Sequence, residues 1–437
     1  MNTLFGTDGI RNKVGYHPFT RDALAEFGNA LGLWITQKYG PQIPVLLGYD
    51  TRKSCAWVKA ALQSGLLLHQ ISLYDADILP TPAVFKNLRT SKKFKLGIVI
   101  SASHNPYDDN GIKIFDLTTG KLTHEDEQTI TDLFYNAIPP AYDSFGTITT
   151  YRGAQKQYID DILKYCSPTL TGKTIVLDCA HGATSLIAPY IFTACGARVI
   201  ALNNEPNGTN INANCGAVHP QGLQQAVIRN KADVGFAFDG DGDRVIAIDR
   251  FGNKKDGDDI LALLAMHPTY TQETTIVGTV MTNQGLEEHL KKHNTQLVRA
   301  AVGEKHILAE MLPHKYLLGG EPSGHIILQD YLAMSDGIAA ALRILDAMHH
   351  TNNWDMVTFT KFPQVLINVP IKTRRDLTNQ PLADLIATSE TELGTGRILV
   401  RYSGTEPIIR VMAEAPNAER ASTIAELLSQ KLANELG

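Results

Sequence analysis

Short apolar runs, each closed by a small polar turn, alternate along this chain with longer stretches whose apolar residues recur every three or four positions. The first pattern predicts buried strands and the second predicts amphipathic helices. Leu24, Phe27, Leu31, Trp34 and Ile35 place a helix after Thr20, with Thr20 as its N-cap. A strand over 44–47 ends in Gly48-Tyr49-Asp50-Thr51-Arg52, and a helix over about 58–68 follows. The fully apolar run 96–100 reads as a strand that delivers Ser101-Ala102-Ser103-His104-Asn105-Pro106. The alternation then repeats, with strands over 174–178, 197–200 and 234–238 and a helix around 188–195. A third set opens at 256–266 and has a strand at 316–318 and a helix from 336 to about 348. Strands at 365–369, 398–400 and 408–411 follow, and Asn417 is the expected N-cap of a last helix carrying Ile424, Leu427, Leu428 and Leu432.

Strand–helix alternation of this kind specifies an α/β protein with mostly parallel or mixed sheets. The expected division is three successive α/β domains, 1–152, 153–252 and 253–362, and a smaller α+β domain, 363–437. No fixed-period repeat is visible.

Composition changes this picture little. A chain of 437 residues has room for about three domains on length alone. At 43% hydrophobic and 19% charged it is an ordinary globular composition. The net charge of -5 argues against nucleic acid or an anionic membrane as the main partner. No apolar run reaches the roughly 20 residues of a membrane span. The first eight residues lack the basic and apolar regions of a signal peptide, so a cytoplasmic location is expected. Cys55, Cys166, Cys179, Cys195 and Cys215 form no CxxC or zinc spacing and are expected to be free, buried thiols.

Four loops carry candidate chemistry. Ser103 lies at a strand's carboxyl end, where α/β folds bind ligands, and is expected to be exposed there. His104 is not expected to pair with it, because neighbours along a loop seldom point at each other. Asp239, Asp241 and Asp243 alternate after an apolar strand, and three carboxylates with no soft ligand suit Mg²⁺. An EF-hand is excluded, since Arg244 and Arg250 stand where it needs Gly and Glu. Glu321, Ser323 and His325 offer an acceptor, a hydroxyl and an imidazole side by side, a pattern suited to sugar hydroxyls. Arg401, Ser403 and Thr405 surround Gly404, whose backbone N–H can approach an anion closely, and Arg410 follows shortly after.

In this order, the four loops resemble the α-D-phosphohexomutase family over essentially the whole chain. The resemblance implies four domains around a central cleft. It implies phosphoserine at Ser103, and Mg²⁺ on Asp239, Asp241 and Asp243 with phosphorylated Ser103 as a further ligand. It also implies sugar contacts from Glu321, Ser323 and His325, and a phosphate site at Arg401, Ser403, Gly404, Thr405 and Arg410. Lys113 and His325 become the candidate general bases, and Arg11 and Arg244 sources of positive charge near the serine. A lysine acts as a base only if its pKa is lowered. The stretches 5–11, 109–113, 205–208, 210–212 and 403–407 are similar to the branch acting on glucosamine phosphates. That implies exchange of the 6- and 1-phosphates through a bisphosphate intermediate and activator, toward UDP-N-acetylglucosamine. The implied partners are small sugar phosphates, with no nucleic acid or membrane, and a homodimer is left open.

The chain departs from the family at Tyr49, Cys55 and Tyr402, and at Gly303-Glu304-Lys305-His306, where Gly-Asp-Arg-Tyr is common. Two alternatives stand beside this reading. One is a mannose- or glucose-phosphate mutase of the same family. The other is a haloacid dehalogenase-type phosphatase with Asp239 as nucleophile, whose motif would want Thr or Val at position 243.

Overall fold

The computed structural model describes residues 4–6, 8–137, 144–166, 168–403 and 406–437. These form two compact units. One comprises 1–273 and 303–357; the other comprises 274–302 and 358–437. The third sequence-defined piece, 253–362, contributes to both.

The first unit holds two mixed sheets. In the first, the spatial order is Ile10–Lys13, Asp109–Asp116, Leu96–Ile100, Pro44–Tyr49, Ser72–Ile78 and Thr147–Thr150. Pro44–Tyr49 runs parallel to both its neighbours, while Asp109–Asp116 is antiparallel to Leu96–Ile100 and to Ile10–Lys13. All five residues of Leu96–Ile100 are buried, which is why this strand is uniformly apolar and does not alternate. Ile98 and Ile100 share a core with Leu24, Phe27, Leu31, Val45 and Leu47. Each such side chain contributes about 1.5–3 kcal/mol by leaving water. This core anchors the strand whose carboxyl end starts the Ser103 loop.

The second sheet runs Lys254–Lys255, Val245–Asp249, Val234–Phe238, Thr174–Asp178 and Arg198–Leu202. Val234–Phe238 and Val245–Asp249 are both fully buried and pair antiparallel, with Phe238 opposite Val245. The acidic turn between them is therefore pinned at both ends. A short antiparallel pair, Leu318–Gly320 with Ile326–Leu328, carries the Glu321 loop at its turn.

In the second unit, Thr275–Thr279 pairs parallel with Gln296–Ala300. A three-stranded antiparallel sheet orders Gln364–Pro370, Ile408–Glu414 and Arg397–Tyr402. Arg397 donates to Val280 O at 2.7 Å and Thr282 O at 2.8 Å, tying the two parts of this unit together.

Local expectations fare differently. Asn417 caps the helix Ala418–Leu436 by accepting the Arg420 N–H. Thr20 occupies the N-cap position of Arg21–Tyr39, but its side chain makes no capping bond. The helix expected at 58–68 begins a turn earlier, at Cys55. All five cysteines are free and buried. Among the described residues, no helix is long and apolar enough to cross a membrane.

Candidate functional site

The Ser103 loop is built around a buried cation. Arg52, with its side chain fully buried, donates through Nη2 to Ser103 O at 2.9 Å and Asn105 O at 2.8 Å, and through Nη1 to Pro106 O and Asp109 O. Its Nε pairs with Asp50 at 2.9 Å. Ser101 donates its hydroxyl to Asp50 (2.6 Å) and accepts the Ser103 N–H (2.9 Å), so it shapes the turn. Ser103 itself takes a left-handed backbone, φ 53°, which costs a non-glycine residue about 1 kcal/mol and persists only where the surroundings enforce it.

The expected exposure of Ser103 is corrected: it is only 2% exposed. Its hydroxyl donates to Asp239 Oδ2 at 2.6 Å. Gly240 makes this approach feasible, since a Cβ there would stand 2.5 Å from Ser103 O. The expectation for His104 is also overturned, because its Nδ1 lies 3.3 Å from Ser103 Oγ. Burial, helped by Arg244 and Arg11, pushes this imidazole down to about 4. The left-handed turn brings the two neighbouring side chains together. Arg11, on Ile10–Lys13, donates to Asn105 Oδ1 at 3.1 Å and so reaches the same loop.

Asp239, Asp241 and Asp243 are all buried, and each offers an oxygen within 4.8 Å of the others. Asp239 Oδ1 accepts the N–H of Gly242 and of Arg244. Burial and the charges of Asp243 and Asp241 push its carboxyl well above the usual range. Burial would do the same to Asp243, but Lys113 and His325 hold it well below. Lys113 Nζ stands 2.9 Å from Asp241, 3.0 Å from Asp243 and 2.9 Å from Asp8.

The Lys113 ammonium is set between burial and its carboxylate neighbours. Burial alone would lower it, yet these three carboxylates outweigh burial and keep the ammonium well above the ordinary lysine range. His325 behaves alike. It faces Glu321 at 2.7 Å through Nδ1 and Asp243 at 3.3 Å through Nε2. Arg244 Nε, 3.2 Å from the same nitrogen, opposes the charge. Burial favours the neutral ring, but the two carboxylates prevail and push it up to about 10.

The acidic triad fits a hard divalent cation on a specific ground. Asp241 Oδ1 is a buried carboxylate oxygen with no hydrogen-bond donor. Buried oxygens left this way are costly, and a cation satisfies them. Thr81 donates its hydroxyl to the other Asp241 oxygen at 2.5 Å, and its N–H to Asp241 O at 2.9 Å. That hydroxyl orients the carboxylate. Thr81→Val is expected to weaken divalent-cation affinity about 10-fold, with Thr81→Ser near the parent, as measured by Mn²⁺ titration followed by electron paramagnetic resonance. Equal affinity in Val and Ser variants would refute that role.

Glu321 joins this assembly. It accepts from Ser323 and His325, each at 2.7 Å, and from Gly303 N–H at 3.2 Å. Burial would raise its carboxyl, but His325 and Ser323 hold it at about 2. Gly324, at φ 98°, lets the loop meet the acidic turn: its carbonyl accepts the Val245 N–H, and His325 bridges to Arg244.

Arg401, Ser403 and Arg410 belong to the second unit, and Gly404 and Thr405 lie outside the described residues. Arg401 and Arg410 are directly opposite across an antiparallel pair, an unfavourable cationic pairing that an anion would relieve. Arg410 Nε is buried without an acceptor. Ser403 accepts the Glu406 N–H and donates its own N–H to Ile408 O. Arg374 donates to Ser403 O at 2.5 Å, adding a third guanidinium.

Sequence reasoning missed Asp8, Asp50, Arg52, Thr81 and Arg374 as parts of these sites. A charged Asp-x-Arg closing a buried strand was the one signal for Asp50 and Arg52. A second ligand-type group, His267, Asp346 and His350, also brings one ligand atom from each residue within 4.8 Å of the others. Thr269 N–H donates to His267 Nδ1 (3.1 Å), which puts the ring proton on Nε2, facing Asp346 at 2.9 Å.

Comparison with known proteins agrees with this geometry. Family models for phosphoglucomutase/phosphomannomutase match in four segments: alpha/beta/alpha domain I over 2–139, domain II over 156–252, domain III over 256–360 and the C-terminal domain over 366–431. The chain is 41% identical over 450 residues to a phosphoglucosamine mutase of Acinetobacter baumannii, covering 99% of each. It is 38% identical over 454 residues to a phosphoglucosamine mutase of Citrifermentans bemidjiense, covering 100% of this chain and 99% of the relative. Among solved structures, a phosphoglucomutase/phosphomannomutase family protein from Burkholderia thailandensis shares the fold with a TM-score of 0.84 at 22% identity, over 99% of this chain and 98% of that one. The Aspergillus fumigatus N-acetylphosphoglucosamine mutase, solved with GlcNAc-6P and magnesium, does so with a TM-score of 0.66 at 18% identity, over 99% and 96%.

Proposed function

This chain belongs to the phosphoglucomutase/phosphomannomutase family, in its phosphoglucosamine mutase branch, and we propose on that premise that it interconverts glucosamine 6-phosphate and glucosamine 1-phosphate. The observation that carries the reading is the Ser103 hydroxyl, 2.6 Å from Asp239 within a triad in which Asp241 keeps a buried, donor-free oxygen. A serine so placed is suited to carry a phosphoryl group beside a divalent cation.

In this reading the four pieces 1–152, 153–252, 253–362 and 363–437 bring the serine, metal, sugar and phosphate loops respectively. Asp239, Asp241, Asp243 and the phosphate on Ser103 would hold Mg²⁺, which supplies charge neutralisation for the transferring group. Glu321, Ser323 and His325 orient the sugar hydroxyls. Arg401, Ser403, Gly404, Thr405 and Arg410 hold the phosphate that is not transferring. The bond from phosphorus to Ser103 Oγ breaks as a bond to the free sugar hydroxyl forms, giving a sugar bisphosphate. Its other phosphate then returns to Ser103 after the intermediate turns over in the site. The hydroxyl proton passes to Lys113 or His325. The receiving group first gives its own proton to the serine oxygen that leaves, which needs one, so the proton count balances. Arg11 adds positive charge at the serine loop.

The dehalogenase-type alternative has no support. Both oxygens of Asp239 are engaged, by Ser103 and by two backbone N–H groups, and the full-length relatives are mutases. The test of substrate is a side-by-side kinetic comparison of glucosamine, mannose and glucose 6-phosphates with the bisphosphate activator present. The highest kcat/KM is expected for glucosamine 6-phosphate; a clear preference for mannose or glucose phosphate would move the chain to another branch.

A further inference from the structure

The segment Gly303-Glu304 joins two parts of the site. Glu304 is 9% exposed and opens the helix Glu304–His314. Its Oε1 accepts both the N–H and the hydroxyl of Ser335, each at 2.6 Å. Its Oε2 stands 2.6 Å from Lys121 Nζ. Lys121 lies on Gly120–Lys121, which pairs with the end of the strand carrying Lys113. The same ammonium is 2.7 Å from Asp8 Oδ1, and Asp8 Oδ2 is 2.9 Å from Lys113. The residue before Glu304, Gly303, donates its N–H to Glu321 Oε2.

Charges thus alternate in an unbroken line: Glu304, Lys121, Asp8, Lys113, then Asp241 and Asp243. One end of that line is at the metal triad. The other, through one peptide bond, is at the carboxylate of the sugar loop. A glutamate that served only to start its helix would not need three short contacts aimed away from that helix. Resting on the mutase reading, we infer that Glu304 and Lys121 are positioning residues for the reaction: their ion pair fixes the Glu321 sugar loop in one frame with Asp8 and Lys113. Lys121 also screens Asp8 from Glu304, so losing the lysine leaves two carboxylates facing each other.

The test is a double-mutant cycle of Glu304→Gln and Lys121→Gln, read as kcat and KM for glucosamine 6-phosphate, Mg²⁺ half-saturation and thermal midpoint. Glu304→Gln keeps an acceptor for Ser335 and removes the ion pair. Each single variant is expected to lower kcat/KM about 10- to 100-fold, the scale of a misplaced reacting group, while Mg²⁺ half-saturation stays at the parent value. The double variant is expected to be no worse than the weaker single, and Glu304→Asp, which keeps the charge, to recover most of the loss. Unchanged kcat/KM in Glu304→Gln, or fully additive losses, would overturn the inference. Should Glu304→Gln fail to fold, Lys121→Gln reads the same bridge from a side chain 23% exposed, and parent-level kcat/KM there overturns it equally. The parent chain separates the two levels. Parent turnover with an indifferent Glu304 removes only the positioning role, whereas no parent turnover on any hexose phosphate removes the mutase reading and this role with it.

Discussion

Ser103→Ala is expected to abolish mutase turnover, by about 10⁴-fold or more, while leaving sugar-phosphate binding measurable by calorimetry. Removing the covalent carrier leaves no second route for the phosphoryl group, and losses of that order follow when a catalytic nucleophile is deleted. The variant keeps the architecture of the loop. Arg52 grips the backbone carbonyls of Ser103 and Asn105, not the hydroxyl. Ser101 stays bonded to Asp50. The bonds lost are the hydroxyl to Asp239 Oδ2 and its 3.3 Å contact with His104 Nδ1. Stability is expected to fall by only about 1–3 kcal/mol, the usual cost of leaving a buried acceptor unpaired. Normal turnover by the alanine variant would end the proposed chemistry.

Asp241→Asn has the second-largest expected effect. Asp241 contributes one oxygen held by Thr81 and Lys113 and one that has no donor. The asparagine keeps the shape and removes the charge. Because changes in groups that merely orient a metal ligand cost about 10- to 100-fold in affinity, loss of the ligand's own charge is expected to raise the Mg²⁺ half-saturation by at least about 100-fold. Excess Mg²⁺ should restore part of the activity, which a folding defect would not allow. An unchanged metal requirement would remove Asp241 from the metal site. Both variants bear on the same small region, where the carboxylates of Asp8, Asp239, Asp241 and Asp243 pack against the cations of Lys113 and His325.

The strands and their terminal loops were readable in the sequence because both faces of the strands are buried, which leaves uniform apolar runs such as 96–100 and 234–238. Small polar residues mark where they stop. The division of residues 253–362 between two units was not readable. It depends on contacts such as those from Arg397 to the Val280 and Thr282 carbonyls, more than a hundred residues away in the chain. The role of Arg52 was hidden for a related reason: most of its partners are backbone carbonyls, which every residue possesses.

Charge states were the least legible part of the site. Burial of Lys113 by itself favours a neutral amine, and a sequence gives no distances from which to weigh Asp8, Asp241 and Asp243 against it. At 2.9 to 3.0 Å they prevail and keep it an ammonium. His104 was set aside on the general behaviour of loop neighbours, which the left-handed backbone of Ser103 does not follow.

The proposed reaction has Ser103 shuttle a phosphoryl group to and from the sugar. It is tested most directly by loading the enzyme with ³²P on Ser103, adding excess glucosamine 6-phosphate with Mg²⁺, and following the label through the first turnovers. Label is expected to leave the protein and enter sugar bisphosphate and sugar monophosphate, while Ser103 remains phosphorylated by unlabelled phosphate, a mass addition of about 80 Da. Label that stays on the protein, or is released as inorganic phosphate, while the two sugar phosphates interconvert at the normal rate would contradict it.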